Sequence, residues 1–119
     1  MNAVRIFSDT EGESHFEDIE LDLLPLAVGD LRTASTENWP ASTVQFRQVD
    51  DDFESGFHVA PKRRIVINLA GFSELEVSSG ERRIVGPGVV QLVEDLEGRG
   101  HKAAKTTGEP LQMLIIGLD

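Results

Sequence analysis

A chain of 119 residues is the size of one domain, and one domain over residues 1–119 is the expected organisation. The absence of cysteine excludes disulfides, thiol nucleophiles and thiolate metal sites. A net charge of −10 argues against nucleic acid and anionic membrane surfaces as partners, because both are held by clustered Lys and Arg. No apolar run reaches the ~20 residues of a membrane span. The opening Met1 to Ile6 passes at once into polar and acidic residues, unlike an export signal, so the cytoplasm is the expected location.

Period-two alternation dominates the chain. In Ile19-Glu20-Leu21-Asp22-Leu23, apolar and acidic residues alternate, which predicts a half-buried strand. Leu24 to Arg32 has room for one or two helical turns, limited by Pro25 and Gly29, and Thr33 to Ser42 reads as loop around Trp39 and Pro40. Thr43 to Arg47 alternates again. Asp50-Asp51-Asp52 reads as a solvated turn, since the remaining ligands and the glycine of a calcium loop are missing. Arg64 to Leu69 is a β-branched run ending before Gly71. Leu75-Glu76-Val77 and Arg83-Ile84-Val85 flank Ser78 to Glu81 as a hairpin. Val89 to Val93 follows Gly86-Pro87-Gly88, and Leu111 to Leu118 follows Gly108-Glu109-Pro110. Many short strands with turn signals between them predict an all-β barrel or sandwich.

From Phe57 onward the sequence resembles the cupin family. The residues that carry the likeness are Gly56 to Pro61, Arg64 to Gly71, Gly86-Pro87-Gly88 and Gly98-Arg99-Gly100-His101. His58 matches the first histidine of the family's first motif, and Gly71 its final glycine. Gly98 and His101 match the glycine and histidine of the second motif. The segments Gly12 to Asp18, Ala60 to Arg64 and Glu94 to Gly98 resemble a group of short, stand-alone bacterial cupin-like proteins. The resemblance implies a single cupin-type jelly-roll barrel, often dimeric through its edge strands, with a pocket inside.

It also implies a metal held by three histidines and a glutamate, and here the sequence departs from the pattern. The second histidine position is Ala60 and the glutamate position is Arg64. The second motif's proline and asparagine are replaced by Leu96 and Lys105. A guanidinium cannot become a ligand and would set a positive charge beside a cation. The expectation is a metal-free pocket with no cofactor. His58 and His101 are the weak candidates for iron, zinc, manganese or nickel, completed only if Glu94, Asp95 or His15 came near.

Alternation places Arg64, Val66 and Asn68 on the face shared with His58 and Ala60, with Gln91 facing inward from the next strand. The candidate pocket residues are therefore His58, Arg64, Asn68, Gln91 and His101. Such a set suits a small organic acid or carbonyl compound, with Arg64 forking onto a carboxylate or enolate. Arg64 paired with an inward carboxylate is the competing reading, and Trp39 packs over the barrel mouth or onto a partner. Three functions remain open: a small-molecule-binding module, expected as a homodimer; an isomerase, cyclase or lyase with histidine acid–base chemistry; and a metal-dependent dioxygenase, which the missing ligands disfavour.

Overall fold

The computed structural model describes residues 1–51, 54–106 and 108–119. Eleven strands follow one another: β1 (Asn2–Ser8), β2 (Ser14–Glu20), β3 (Leu24–Val28), β4 (Leu31–Ser35), β5 (Ala41–Val49), β6 (Arg64–Ala70), β7 (Ser73–Val77), β8 (Arg82–Val85), β9 (Val90–Glu94), β10 (His101–Lys105) and β11 (Leu111–Leu118). The chain is all-β, with no helix among the described residues. Six strands form one sheet in the order β2-β1-β9-β6-β11-β5, and three form a second in the order β10-β7-β8. All pairs are antiparallel except β1 with β9.

The core lies between these two sheets. Ile6, Val66, Val93 and Ile115 face inward from the large sheet and meet Leu75, Val77 and Val85 from the small one. Strand β7 shows the cause most plainly. Ser73, Leu75 and Val77 are buried while Glu74 and Glu76 are only half-buried, the period-two pattern of a sheet with one face on a core.

Several strands match the sequence reading, β11 to the residue. Others correct it. The stretch expected to hold helical turns is instead the hairpin β3–β4, paired from Leu24↔Ser35 to Val28↔Leu31. The reason is local: Leu24, Leu26 and Val28 alternate ahead of Gly29-Asp30. Gly29 has φ 57° while no non-glycine residue among the described ones has positive φ, the signs of a two-residue type II′ turn. Part of the expected loop from Thr33 to Ser42 is therefore strand. The alternating run at Ile19–Leu23 also lies differently. Strand β2 ends at Glu20 because its partner β1 begins at Asn2, opposite that residue. Strands β1 and β10 were not anticipated. Of the acidic run at 50–52, Asp52 lies outside the described residues.

Candidate functional site

A cavity of about 100 Å³ opens between the two sheets. Ile6, Val66, Leu75, Val93, Met113 and Ile115 form its apolar wall, and its polar groups are Arg47, His58, Arg64, Ser73, Gln91 and His101. Four of the five pocket residues expected from sequence thus line one space. The alternation of β6 puts Arg64 and Val66 on the inner face, and the β6–β9 register sets Gln91 opposite Val66. Asn68 continues the same face but lies deeper, outside the lining. Its Nδ2 donates to Ser73 Oγ and to the Val85 carbonyl, both at 3.1 Å, and its Oδ1 accepts weakly from Gln91 Nε2 at 3.4 Å. These bonds give Asn68 a structural role, tying the two sheets together behind the cavity.

The histidines meet through backbone pairing. The His58 and His101 amides each donate to the other's carbonyl, at 3.1 and 2.9 Å, and the ring centroids stand 4.8 Å apart. Gly100 makes this approach feasible: it has φ 73°, and a β-carbon there would collide with the His58 carbonyl. His58 is exposed at the rim, and its Nδ1 lies 2.9 Å from the Gly56 carbonyl. His101 is buried. Its Nδ1 lies 2.6 Å from Oδ2 of Asp95, a fully buried carboxylate. An ionised carboxylate can only accept, so Nδ1 carries the proton and Nε2 is left as the other ring nitrogen of a residue that lines the cavity.

Arg64 is unusual. Burial pulls its guanidinium below the ordinary arginine value, the neighbouring Arg47 pulls it further, and Asp95 opposes both. It remains a cation. Among the described residues neither Arg64 nor Arg47 forms an ion pair. Arg47 donates to Gln45 Oε1 at 2.7 Å, whereas Arg64 Nε is buried with no hydrogen-bond partner, as is Asp95 Oδ1. For the competing reading, Arg64 held by an inward carboxylate, the described residues offer only the longer-range attraction of Asp95, with no ion pair formed.

The other sequence candidates lie elsewhere. His15 pairs with Asp9 at 2.7 Å and stacks near Phe7. Glu94 bridges Arg5 and Arg63. Burial tends to raise its carboxyl, but the bonds from Arg5 and Arg63 prevail and hold it below the usual carboxylate range. Trp39 sits beside Ile65, Ile67 and Ile116 on the opposite face of the large sheet, so it does not cover the cavity. Sequence reasoning missed two site residues. Arg47 was legible as an inward position only once the β5–β11 register was known. Asp95 was noticed but not joined to His101, six residues on, because the glycine-rich turn at 98–100 that folds one onto the other has no simple period.

A divalent cation does not fit this donor set. Among the described residues no three of His, Asp and Glu gather as a metal-binding group. Ala60 and Arg64 stand where the resemblance implies ligands. Two imidazoles fall short of the three protein ligands usual for a catalytic cation, and a guanidinium shares the space.

No protein-family model and no curated protein matches the sequence. Solved structures do match. A cupin domain from Bordetella pertussis is similar with a TM-score of 0.50 and 17% identity, over 82% of this chain and 93% of that one. A conserved protein of unknown function from Streptococcus pyogenes is similar at 0.48 and 20%, over 85% and 77% of the two chains. A protein from Neisseria meningitidis is similar at 0.46 and 9%, over 82% and 84%. At such identities the likeness speaks to fold alone. The chain has an all-β, cupin-like fold.

Proposed function

We propose that the chain is a cupin-type binding module whose metal-free cavity takes a small organic anion. The observation that carries this is Arg64: a guanidinium with a buried, unpartnered Nε, facing a cavity that also receives Arg47 and no ion-paired carboxylate. A half-buried guanidinium with an unmade hydrogen bond at Nε is costly, and a bound carboxylate would offset that cost with charge-assisted bonds. Size narrows the class. A cavity of about 100 Å³ holds several water-sized groups but falls short of the several hundred Å³ of a drug-sized site, so the ligand has few non-hydrogen atoms. Apolar walls suit a short hydrocarbon or carbonyl tail.

The test is a side-chain NMR titration with pyruvate and malonate. Binding should move the signals of Arg64, His58 and His101, and Arg64→Met should abolish the response while the fold is kept. Unmoved signals at millimolar carboxylate, or equal binding by Arg64→Met, would overturn the reading.

A second reading rests on the Asp95–His101 pair. A buried carboxylate holding Nδ1 leaves Nε2 able to accept a proton from a ligand anchored on Arg64, as enolisation, isomerisation or elimination requires. Exchange of the methyl protons of pyruvate into deuterated solvent, lost in His101→Gln, is the expected signature. Exchange no faster than without protein would remove the enzyme and leave the binding module.

A further inference from the structure

The two arginines of the cavity enter it from different levels of the large sheet. Arg64 begins β6 and stands opposite Gly117 of β11. Arg47 lies on β5, which flanks β11 on its other side, and stands opposite Met113. From Met113 to Gly117 is roughly 13 Å along the strand axis, yet both arginine side chains line one cavity. Between the two levels, Ile115 and its β6 partner Val66 face the same cavity. The inner wall therefore reads cation, apolar, cation along the strand direction.

Neither cation is satisfied by the protein. Among the described residues neither forms an ion pair. Arg47 is exposed at the rim, and its Nη2 donates to Gln45 Oε1 on its own strand. Arg64 is half-buried, with Nε unbonded. The other ionisable groups facing them are His58, His101 and Asp95. Asp95 attracts Arg64 but does not line the cavity, and its Oδ2 is held by Nδ1 of His101. Arg47 and Arg64 are like charges that repel each other, and a guanidinium fork matches one carboxylate in shape. Two forks at separate levels, with apolar side chains between, match two carboxylates joined by a short hydrocarbon chain.

The remainder of the protein does not supply this preference. With a net charge of −10 it repels anions at long range, and a doubly charged anion more than a singly charged one. We infer that Arg47 is a specificity-determining residue that selects short dicarboxylates over monocarboxylates. One carboxylate lies on Arg64 inside, the second on Arg47 at the rim, and the methylenes lie against Val66 and Ile115. The inference rests on the small-anion reading of the cavity and narrows its ligand class.

Calorimetric titration with succinate and with butyrate, at about pH 8 where carboxylates are ionised, tests it. The two have carbon chains of equal length and differ by one carboxylate. The wild type should bind succinate about fivefold more tightly than butyrate. Arg47→Gln should bring that ratio to about one, with circular dichroism unchanged because the side chain is exposed. Arg32→Gln, which removes the same charge from exposed β4 outside the cavity, should keep the ratio of the wild type. Equal binding of succinate and butyrate by the wild type would overturn the inference and leave the cavity a site for small anions. So would a ratio that survives Arg47→Gln, or one that Arg32→Gln abolishes equally. Binding of neither compound would overturn the small-anion reading itself, and this inference with it.

Discussion

The cavity and the hairpin region depart from the usual arrangement of a globular protein in opposite directions. Around the cavity, polar groups are inside without partners: Arg64 Nε and Asp95 Oδ1 are buried and unbonded. Around β3–β5, apolar groups are outside without cover: Leu31, Val44 and Phe46 are among the most exposed large hydrophobics of the chain. Single exposed apolar residues mean little, but a contiguous patch and a buried polar atom without a partner both cost free energy that folding alone does not recover. The comparison teaches that a local mismatch between environment and chemistry names the chemistry that would relieve it. An anion would relieve Arg64, and an apolar surface would relieve the exposed patch.

Substitution of leucines gives the widest contrast between the regions. Leu75→Ala, in the core beside the cavity, should cost about 3 kcal/mol in chemical denaturation, as a buried leucine with packed neighbours does. Leu31→Ala, at an exposed position, should cost less than about 0.5 kcal/mol. Equal costs would mean that the hairpin packs on its own chain in solution.

Gly100→Ala comes next. The positive φ and the collision with the His58 carbonyl should together cost about 2 kcal/mol, and the His58 and His101 ring resonances should shift as the pair separates. Unchanged stability and resonances would show that this backbone contact does not seat the histidines.

Arg64→Met is the sharpest test of the cavity. Replacing a half-buried guanidinium whose Nε has no partner by an apolar side chain of similar length should leave stability unchanged or raise it by about 1 kcal/mol, while carboxylate binding is lost. A marked loss of stability would instead assign Arg64 a structural role.

The smallest effect concerns Glu94, which lies outside the cavity. Its folded value is depressed, so its contribution is fully present above the ordinary glutamate value and disappears as pH falls through the depressed one. Glu94→Gln should therefore lower stability by about 0.5 kcal/mol near pH 7, after solvent screening, with the difference vanishing in acid. A difference independent of pH would show that the Arg5 and Arg63 bonds do not depend on charge.

Legibility in the sequence followed the range of the interactions. Strand β7, whose inner and outer residues differ in polarity, announces itself by period two, and β11 by an apolar run entered through Gly108-Glu109-Pro110. The hairpin β3–β4 did not, because Leu24, Leu26 and Val28 alternate with proline and alanine rather than with charges, although Gly29-Asp30 was a valid turn signal. His58, Arg64, Gln91 and His101 were placed by resemblance and alternation. Arg47 and Asp95 reach the site only through sheet register and a glycine-turned loop, which are relations between residues far apart in the chain or folded back on themselves.

By itself the sequence determined that the chain is all-β, that thiol chemistry is absent, and that Ala60 and Arg64 break the metal-ligand pattern of the family it resembles. These depend on residue identity and on spacing along one strand. Only the tertiary structure decided that Arg64 forms no ion pair among the described residues, that Asp95 holds His101, and that Val44, Phe46 and Leu69 stand exposed on the outer face of the large sheet. Each of these depends on which strand lies beside which, and that is set by the packing of two sheets around a common core rather than by any local pattern.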